Sequence, residues 1–456
     1  MSDVAALPLT AGPDGADSII HEGEGGARVM RTVFPSGVRV LTEHMPTMRS
    51  ATVGFWLGVG SRDEAPGHEG STHFLEHLLF KGTGSRSALE IAEVFDSVGG
   101  ESNAATAKES TCYYARVLSR DLSQAVDVIA DMVTGARIDP DDLEQERDVI
   151  LEELAMDADD LTEVAHERFA QAVLGAHPLG LPIGGTPEAI RAVPREAVVA
   201  HYRAHYRPQD LVITAAGGLD HEEFCALVRE RLEAAGWDLE SPAEPVSRRA
   251  CDPADIRPTT GLTAVPRDSE QTHVILGAPG IHATDERRYT LSVLNAILGG
   301  GMSSRLFQEV REKRGMAYAV YSFASSFSDA GYFGVYAGCS PHRTADVIRV
   351  IRAVLRDFAE HGVTEEEIVR ARGQIAGASV MALEDTGARM TRLGRSELVT
   401  GEFVDADEAL RRIDAVTRED VQELARVLID TAPAAVVVGR IDDRAALVSA
   451  LEGPLT

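Results

Sequence analysis

The feature that most constrains the fold is a short pattern that occurs near the end of each half of the chain. An apolar run over residues 211–218 ends in glycine and is followed by Asp220 and a helical pattern. The run over 434–439 also ends in glycine and is followed by Asp442 and another helical pattern. Such runs are typical of buried strands. Because 456 residues exceed one ordinary core, we predict an α+β protein made of two similar α/β domains, a duplicated sheet-plus-helices unit.

Composition shifts along the chain suggest where these domains begin and end. Residues 237–258 are rich in proline and charge and predict a linker between a domain over 29–236 and a second over 259–456. Residues 1–28 are rich in Gly, Ala and Asp and predict a disordered tail. That segment lacks the basic start and apolar core of a secretion signal, and its acidic residues argue against a mitochondrial transit peptide.

Charge and cysteine content narrow the class of protein and its partners. The formal net charge is −28, from 72 acidic and 44 basic residues, which argues against nucleic-acid binding and is compatible with a basic partner or substrate. The four cysteines are scattered and favour a reducing compartment. The sequence has no stretch of the roughly 20 apolar residues that a membrane span needs. We therefore predict a cytoplasmic protein with neither a nucleic-acid nor a membrane partner.

Local patterns place several elements in the first half. The segments 38–41 and 51–59 are strand-like, and Ser87 with Glu90 forms a capping box that opens a helix. Residues 104–117 are strand-like, and residues 122–133 have helical periodicity.

The most informative motif is the inverted zinc pattern H-x-x-E-H at His73, Glu76 and His77. Residues at positions i, i+3 and i+4 share one face of a helix, so the three side chains project together from an otherwise apolar helix. Neutral imidazoles are common zinc ligands, and an adjacent carboxylate can act as a general base. The alternative interpretation is two core histidines hydrogen-bonded to Glu76. The five-residue pattern alone does not decide between them.

A further ligand has to come from another element. Asp139 and Pro140 predict the start of a helix on which Glu146 and Glu153 lie two turns apart, beside the apolar stripe. One carboxylate there can reach a metal while its neighbour orients a ligand. The other interpretation of this acidic pair is a solvated helix edge.

Three segments together resemble a known family. HFLEHLLFKGT (73–83), GGESNAATAKESTCYYARV (99–117) and ERDVILEEL (146–154) resemble the pitrilysin–insulinase family of zinc peptidases. The most similar branch is that of the mitochondrial processing peptidase β-subunit and its bacterial relatives. The resemblance extends over about residues 30–439.

The resemblance implies a role for each matching residue. His73, His77 and Glu153 would hold one Zn²⁺ per chain, with Glu76 as the general base and Glu146 as a supporting acid. The strand around Asn103 and Ala104 would be an exposed edge that pairs with a peptide substrate, a mode that fits any extended peptide. From the residues alone, Asn103 fits a turn or the start of a strand equally well.

The second half lacks the zinc motif and is expected to hold no metal. Its segment 298–318 resembles the family segment in which an Arg and a Tyr complete the site, and Arg311 and Tyr318 are the matching positions. Both side chains can stabilise a peptide oxyanion. Without the family context they are interpreted as a surface Arg and a core Tyr. The glycines at 299–301 in this segment do not form a phosphate-binding loop, because no G-x-G-x-x-G or GK[ST] follows a strand.

These expectations describe a zinc metalloendopeptidase. The chain departs from the mitochondrial β-subunit because it has both the zinc motif and the glycine-rich segment, and the resemblance to short bacterial relatives implies a clamshell homodimer. Two alternatives stay open: the catalytic half of a heterodimeric processing peptidase, and a non-catalytic peptide-binding or structural subunit of the same fold.

Overall fold

The computed structural model describes residues 4–10, 17–259, 261–429 and 433–453. The strands in these ranges are β1 (Val4–Ala6), β2 (Ser18–Glu22), β3 (Arg28–Val33), β4 (Arg39–His44), β5 (Ser50–Leu57), β6 (Glu101–Thr106), β7 (Thr111–Leu118), β8 (Leu211–Gly217), β9 (Gly261–Pro266), β10 (Thr272–Pro279), β11 (Ala317–Ser326), β12 (Gly331–Cys339), β13 (Glu402–Val404) and β14 (Ala434–Gly439).

The α-helices in the same ranges are α1 (Ser71–Leu79), α2 (Ala88–Val98), α3 (Leu122–Gly135), α4 (Pro140–Asp159), α5 (Leu161–Leu174), α6 (Pro187–Ala192), α7 (Arg195–His205), α8 (His221–Ala234), α9 (Arg288–Gly299), α10 (Thr344–His361), α11 (Glu365–Ala382), α12 (Thr386–Arg395), α13 (Ala406–Ala415), α14 (Arg418–Ile429) and α15 (Arg444–Glu452). Short 3₁₀ turns cover Glu24–Gly26, Ser61–Asp63, Ser119–Asp121, Pro178–Gly180, Pro208–Asp210 and Pro341–Arg343, and π-helical turns cover Phe307–Glu312 and Ser396–Thr400. None of the helices in the described ranges combines the length and apolar character needed to cross a bilayer.

The two principal sheets repeat one strand arrangement. The first has the order β2-β3-β4-β8-β5-β7-β6, and the second has the order β11-β12-β10-β14-β9. In the first, β8 lies between its parallel neighbour β4 and its antiparallel neighbour β5. In the second, β14 lies in the same way between β9 and β10. The five strands β4-β8-β5-β7-β6 therefore correspond to β9-β14-β10-β12-β11, and the predicted duplication of an α/β unit is confirmed.

Contacts divide the chain into two compact units that are discontinuous in sequence. The first comprises Met1–Leu154, Pro182–Arg248 and Val380–Glu408, and the second comprises Ala155–Leu181, Arg249–Ser379 and Ala409–Thr456. The boundaries expected from composition, 29–236 and 259–456, differ from these. Residues 155–181 of the first half belong to the second unit, and residues 380–408 of the second half belong to the first unit. Composition records where a linker lies but not which sheet a helix covers. The expected linker over 237–258 contains neither a helix nor a strand.

The first unit buries both faces of its sheet. One face packs against a large core that includes α1 and α3, with Phe55, Phe74 and Val126 fully buried. The other face is covered by α12, whose Met390 and Leu393 join Trp56 in a second cluster. Because both faces are covered, the central strand β8 is buried along its whole length, and Thr214 is its only polar side chain.

The second unit follows the same plan. Helices α9, α10, α14 and α15 share a core with one face of its sheet. Helix α5 covers the other face, where Phe169 packs against β10 and β12. A Cβ atom added to Gly277 would lie 2.5 Å from the Phe169 ring, and one added to Gly334 would lie 3.0 Å from it. These two glycines therefore allow the close approach of α5.

Two local expectations were wrong. The described part of the segment over 1–28 is not a disordered tail, because β1 pairs with β13 and β2 pairs with β3. Residues 1–3 and 11–16 lie outside the described residues. Single buried apolar side chains such as Leu7 anchor these short strands. One such side chain hardly changes the average composition of the segment, so composition does not reveal it. The segment 104–117 belongs to two strands, β6 and β7, with a turn that contains neither glycine nor proline.

A buried ionic cluster joins distant parts of the first unit. The Glu397 carboxylate is inaccessible to solvent and accepts hydrogen bonds from Arg31 at 2.9 and 3.0 Å and from Arg248 at 3.0 Å. The Arg39 guanidinium lies 3.5 Å from the same carboxylate. Arg31 and Arg248 also donate to backbone carbonyls of Pro8 and Leu7. One carboxylate thus offsets two buried guanidinium groups and a partly buried third, that of Arg248, and fixes the chain around β1.

We expect Glu397→Gln to lower the free energy of unfolding of the first unit by about 3–5 kcal/mol, because it leaves buried guanidinium groups without a counter-ion. Urea unfolding followed by circular dichroism measures the change. Glu22→Gln is the matched control, because the Glu22–Arg28 pair is half exposed and should contribute less than about 1 kcal/mol. Equal effects of the two substitutions would contradict the prediction.

Candidate metal centre

Helix α1 is buried on all sides except one narrow face. Phe74, Leu75, Leu78 and Leu79 are fully buried, whereas His73, Glu76 and His77 remain partly accessible. Helical spacing places the three accessible side chains on a common stripe. The local sequence therefore determines which side chains point away from the core.

Helix α4 brings a carboxylate to this stripe. Its Leu143 and Ile150 are buried, which orients the helix on the first unit. The His73 and His77 Nε2 atoms lie 3.3 Å apart. Glu153 Oε2 lies 3.4 Å from His77 Nε2 and 3.8 Å from His73 Nε2. The three predicted ligands therefore form a compact triangle of donor atoms.

The geometry of this triangle fits a zinc ion. Zinc bonds of about 2.0–2.1 Å in a tetrahedral site require donor atoms roughly 3.4 Å apart. The observed separations of 3.3, 3.4 and 3.8 Å agree with that requirement. Within the described ranges, no other set of three His, Cys, Asp or Glu side chains has ligand atoms close enough together to hold a metal. Three protein ligands leave one tetrahedral position for water.

Glu146 fixes the orientation of one ligand. His77 Nδ1 donates to Glu146 Oε2 at 2.9 Å, and Lys81 pairs with the other carboxylate oxygen. Because Nδ1 holds the proton in this arrangement, the lone pair of His77 Nε2 faces the triangle. Glu146 is only 4% exposed, so the interpretation of this residue as part of a solvated helix edge is wrong. Glu153 is more accessible, at 42%.

Glu76 lies on the same stripe and next to two buried phenols. The hydroxyl groups of Tyr113 and Tyr206 are 2.9 Å apart. Burial raises the pKa of both tyrosines, and the negative charge of Glu76 adds to this increase. The phenols therefore stay protonated at neutral pH while Glu76 faces the accessible side of α1.

The predicted substrate strand is an edge strand. Among the described strands, β6 pairs only with β7, so its other edge is open. Asn103 is exposed and lies within β6, while Ala104 is buried and faces the core that contains α1. Asn103 is thus neither a turn residue nor the first residue of its strand.

Arg311 and Tyr318 belong to the second unit and lie close to each other. The Arg311 guanidinium is 5.3 Å from the centre of the Tyr318 ring and 4.6 Å from that of Phe307. Tyr318 is 78% exposed at the start of β11, so the alternative of a core tyrosine is wrong. An exposed phenol beside a cation is available to a ligand.

Two residues near the metal ligands were not predicted from the sequence. Lys81 lies two residues beyond the end of α1, so no helical spacing in the sequence indicates its contact with Glu146. Glu64 bonds the first turn of α1 from the preceding loop. The missing polar cap at Gly70 indicates that some acceptor is needed, but it does not identify Glu64.

Comparisons with known proteins place the chain in one family. Residues 39–187 match the family model described as insulinase, peptidase family M16, and residues 192–375 match that of the peptidase M16 inactive domain. A protein of Streptomyces coelicolor named as an uncharacterized zinc protease is 50% identical over 429 residues, which cover 94% of this chain and 93% of the relative. The chain belongs to peptidase family M16.

Other similar proteins also match most of the chain, at lower identity. A Bacillus subtilis protein, also named as an uncharacterized zinc protease, is 37% identical over 88% of this chain and 95% of its own. The crystal structure of a peptidase M16 inactive domain from Pseudomonas fluorescens superposes with a TM-score of 0.81 at 21% identity, covering 90% of this chain and 98% of its own. A protease from Helicobacter pylori gives 0.81 at 20% identity, covering 92% of this chain and 100% of its own. These structures establish the M16 fold.

We expect Glu146→Gln to raise the dissociation constant for Zn²⁺ by about 10–100-fold, because the substitution weakens the bond that orients His77. Competition with a chromogenic chelator measures this constant. Glu152→Gln is the matched control, since Glu152 is on the same helix but exposed. A zinc affinity that is unchanged in both variants would contradict the positioning of His77 by Glu146.

Proposed function

We propose that this chain is a zinc metalloendopeptidase that hydrolyses peptide bonds within extended peptides, with one Zn²⁺ per chain. The triangle of His73, His77 and Glu153 donor atoms, with Glu146 behind His77, is the observation on which the proposal depends. The zinc protease names of the M16 relatives also support it. A cytoplasmic location is part of the proposal and is supported by four cysteines that form no disulfide.

The proposed reaction assigns a proton transfer to Glu76. Bound zinc supplies a Lewis acid that lowers the pKa of a water and polarises the peptide carbonyl. The Glu76 carboxylate accepts the proton of the attacking water and passes it to the nitrogen of the leaving amine. Because Glu76 is on the accessible stripe of α1, it can exchange a proton with a peptide next to the two histidines.

The open edge of β6 provides a binding mode for the substrate. A peptide in extended conformation can add to this edge through main-chain hydrogen bonds, which select for backbone conformation and not for side chains. Asn103 and Ala104 lie in the strand that would pair with it. The net charge of −28 favours basic peptides among such substrates.

We further propose a homodimer in which each chain completes the site of the other. Arg311 and Tyr318 are adjacent and exposed enough to bind a ligand. A guanidinium and a phenol can stabilise the oxyanion that forms during attack on a carbonyl. One chain contains both the zinc motif and the segment 298–318 with Arg311 and Tyr318. This supports self-association over the heterodimeric alternative. The presence of the three ligands His73, His77 and Glu153 together with the base Glu76 favours catalysis over a non-catalytic subunit.

We expect Glu76→Gln to keep zinc at about one ion per chain and to lower cleavage of a quenched fluorescent peptide library by ~10²–10⁴-fold. Metal content is measured by atomic emission on the same samples. Glu93→Gln, an exposed position on α2, is the control and should retain both properties. A wild-type chain that binds no metal and cleaves nothing would instead favour the binding-subunit alternative.

Mixing two inactive variants tests the shared site. Glu76→Gln and Tyr318→Phe each impair every site in their own homodimers. After subunit exchange at equal amounts, we expect about a quarter of wild-type activity, because half of the dimers contain one site with an intact Glu76 and the partner subunit's Tyr318. No recovery, in a mixture shown by mass spectrometry to contain mixed dimers, would place both residues in the same chain's site. Full activity of the Tyr318→Phe homodimer would exclude Tyr318 from the site.

A further inference from the structure

The helix that holds both histidines begins without a capping side chain of its own. Its N-cap residue is Gly70, in a left-handed conformation with a φ of 95°. A glycine offers no oxygen to the unpaired N–H groups of the first turn, so these groups need other acceptors. The Ser71 N–H donates to the carbonyl of His68. Acceptors for the neighbouring N–H groups come from a side chain in the loop before the helix.

That side chain is Glu64. One of its carboxylate oxygens accepts the Gly70 N–H at 2.7 Å, and the other accepts the Thr72 N–H at 2.7 Å. Burial raises the pKa of Glu64 to about 7, although the hydrogen bonds from Thr72 and Gly70 act in the opposite direction. Because the Glu64 carboxylate is shielded from water, its hydrogen bonds come from the N–H groups at the start of α1.

The loop that presents Glu64 is itself fixed to the sheet. Ser61 and Arg62 donate backbone hydrogen bonds to Ala107 and Lys108, in the turn between β6 and β7. A Cβ atom added to Gly60 would lie 2.4 Å from the Ala107 carbonyl oxygen, so the two segments are in direct contact. The loop of Glu64 therefore connects the turn of the β6–β7 hairpin with the first turn of α1.

The first turn of α1 is also where the metal site begins. His73 is the third residue of the helix and directly follows Thr72, whose N–H bonds to Glu64. The other histidine, His77, is one turn further along and has Glu146 to orient it. Fraying of the first turn would therefore displace His73 while leaving His77 in place, since terminal turns are the least stable part of a helix.

We propose that Glu64 is a positioning residue of the metal centre: its two-pronged bond to the start of α1 holds His73 at the distance that zinc binding requires. Glu64 contacts neither metal nor substrate in this role and acts through the backbone of Gly70 and Thr72. The inference rests on the proposed zinc function and adds to it a residue that determines the affinity for the metal.

The test compares three variants of the full chain. Glu64→Ala removes both acceptors, Glu64→Gln keeps one oxygen acceptor, and Ser87→Ala removes the cap of α2, which accepts from Glu90 N–H in the same unit. The zinc dissociation constant is measured by chelator competition, and the visible absorption of the Co²⁺-substituted protein reports ligand geometry. Thermal unfolding is measured for each metal-free protein.

We expect Glu64→Ala to raise the zinc dissociation constant about tenfold or more and to alter the Co²⁺ spectrum. Glu64→Gln should show a smaller change in the same direction, and it provides the measurement if Glu64→Ala does not fold. Ser87→Ala should lower the thermal midpoint to a similar degree but change zinc affinity by less than about twofold, because the Ser87 hydroxyl bonds to Glu90 at the start of α2 and does not hold α1.

Either of two results would overturn the inference without touching the proposed function. One is a wild-type zinc affinity and Co²⁺ spectrum in both Glu64 variants. The other is an equal loss of zinc affinity in Ser87→Ala, which would make the effect one of general stability. Failure of the wild-type chain itself to bind zinc is a different outcome, because it would overturn the proposed function and this inference with it.

Discussion

The metal centre depends on how completely α1 is buried. Four apolar side chains leave this helix only one face that is open to ligands, and that face contains both histidines. A polar stripe on a core helix is costly unless its groups are bonded. The carboxylate of Glu146 and the proximity of Glu153 supply those bonds from α4. Packing of α1 and α4 in one hydrophobic core thus determines the distances between the donor atoms.

Sequence periodicity was sufficient for the parts of the site that lie on helices. The spacing of His73 and His77 and the two turns between Glu146 and Glu153 fix directions once the helices exist. The sequence also predicted that Glu146 supports the site, through the family resemblance. Glu64 was beyond such reasoning, because its contact with α1 depends on the path of a loop. No periodicity encodes that path.

The fold was predictable at the level of its repeat and less so at its boundaries. The two apolar runs that end in glycine became β8 and β14, which occupy corresponding positions in the two sheets. The hairpin of β6 and β7 was missed because its turn, over 107–110, contains no Gly, Pro, Asn or Asp. The strands near the N-terminus were missed because one or two buried side chains do not alter an average composition.

Helix α5, from the first half of the chain, covers the second sheet, whereas α12, from the second half, covers the first sheet. This arrangement has a consequence for synthesis on the ribosome. The first sheet is complete once β8 has emerged, but the helix that covers its second face ends at Arg395. At about 5–20 residues per second, this apolar face waits on the order of 10–40 s for its cover. During that interval Trp56 and its neighbours are open to solvent or to chaperones. A nascent chain of this protein is therefore an aggregation-prone species until nearly all of it has been translated.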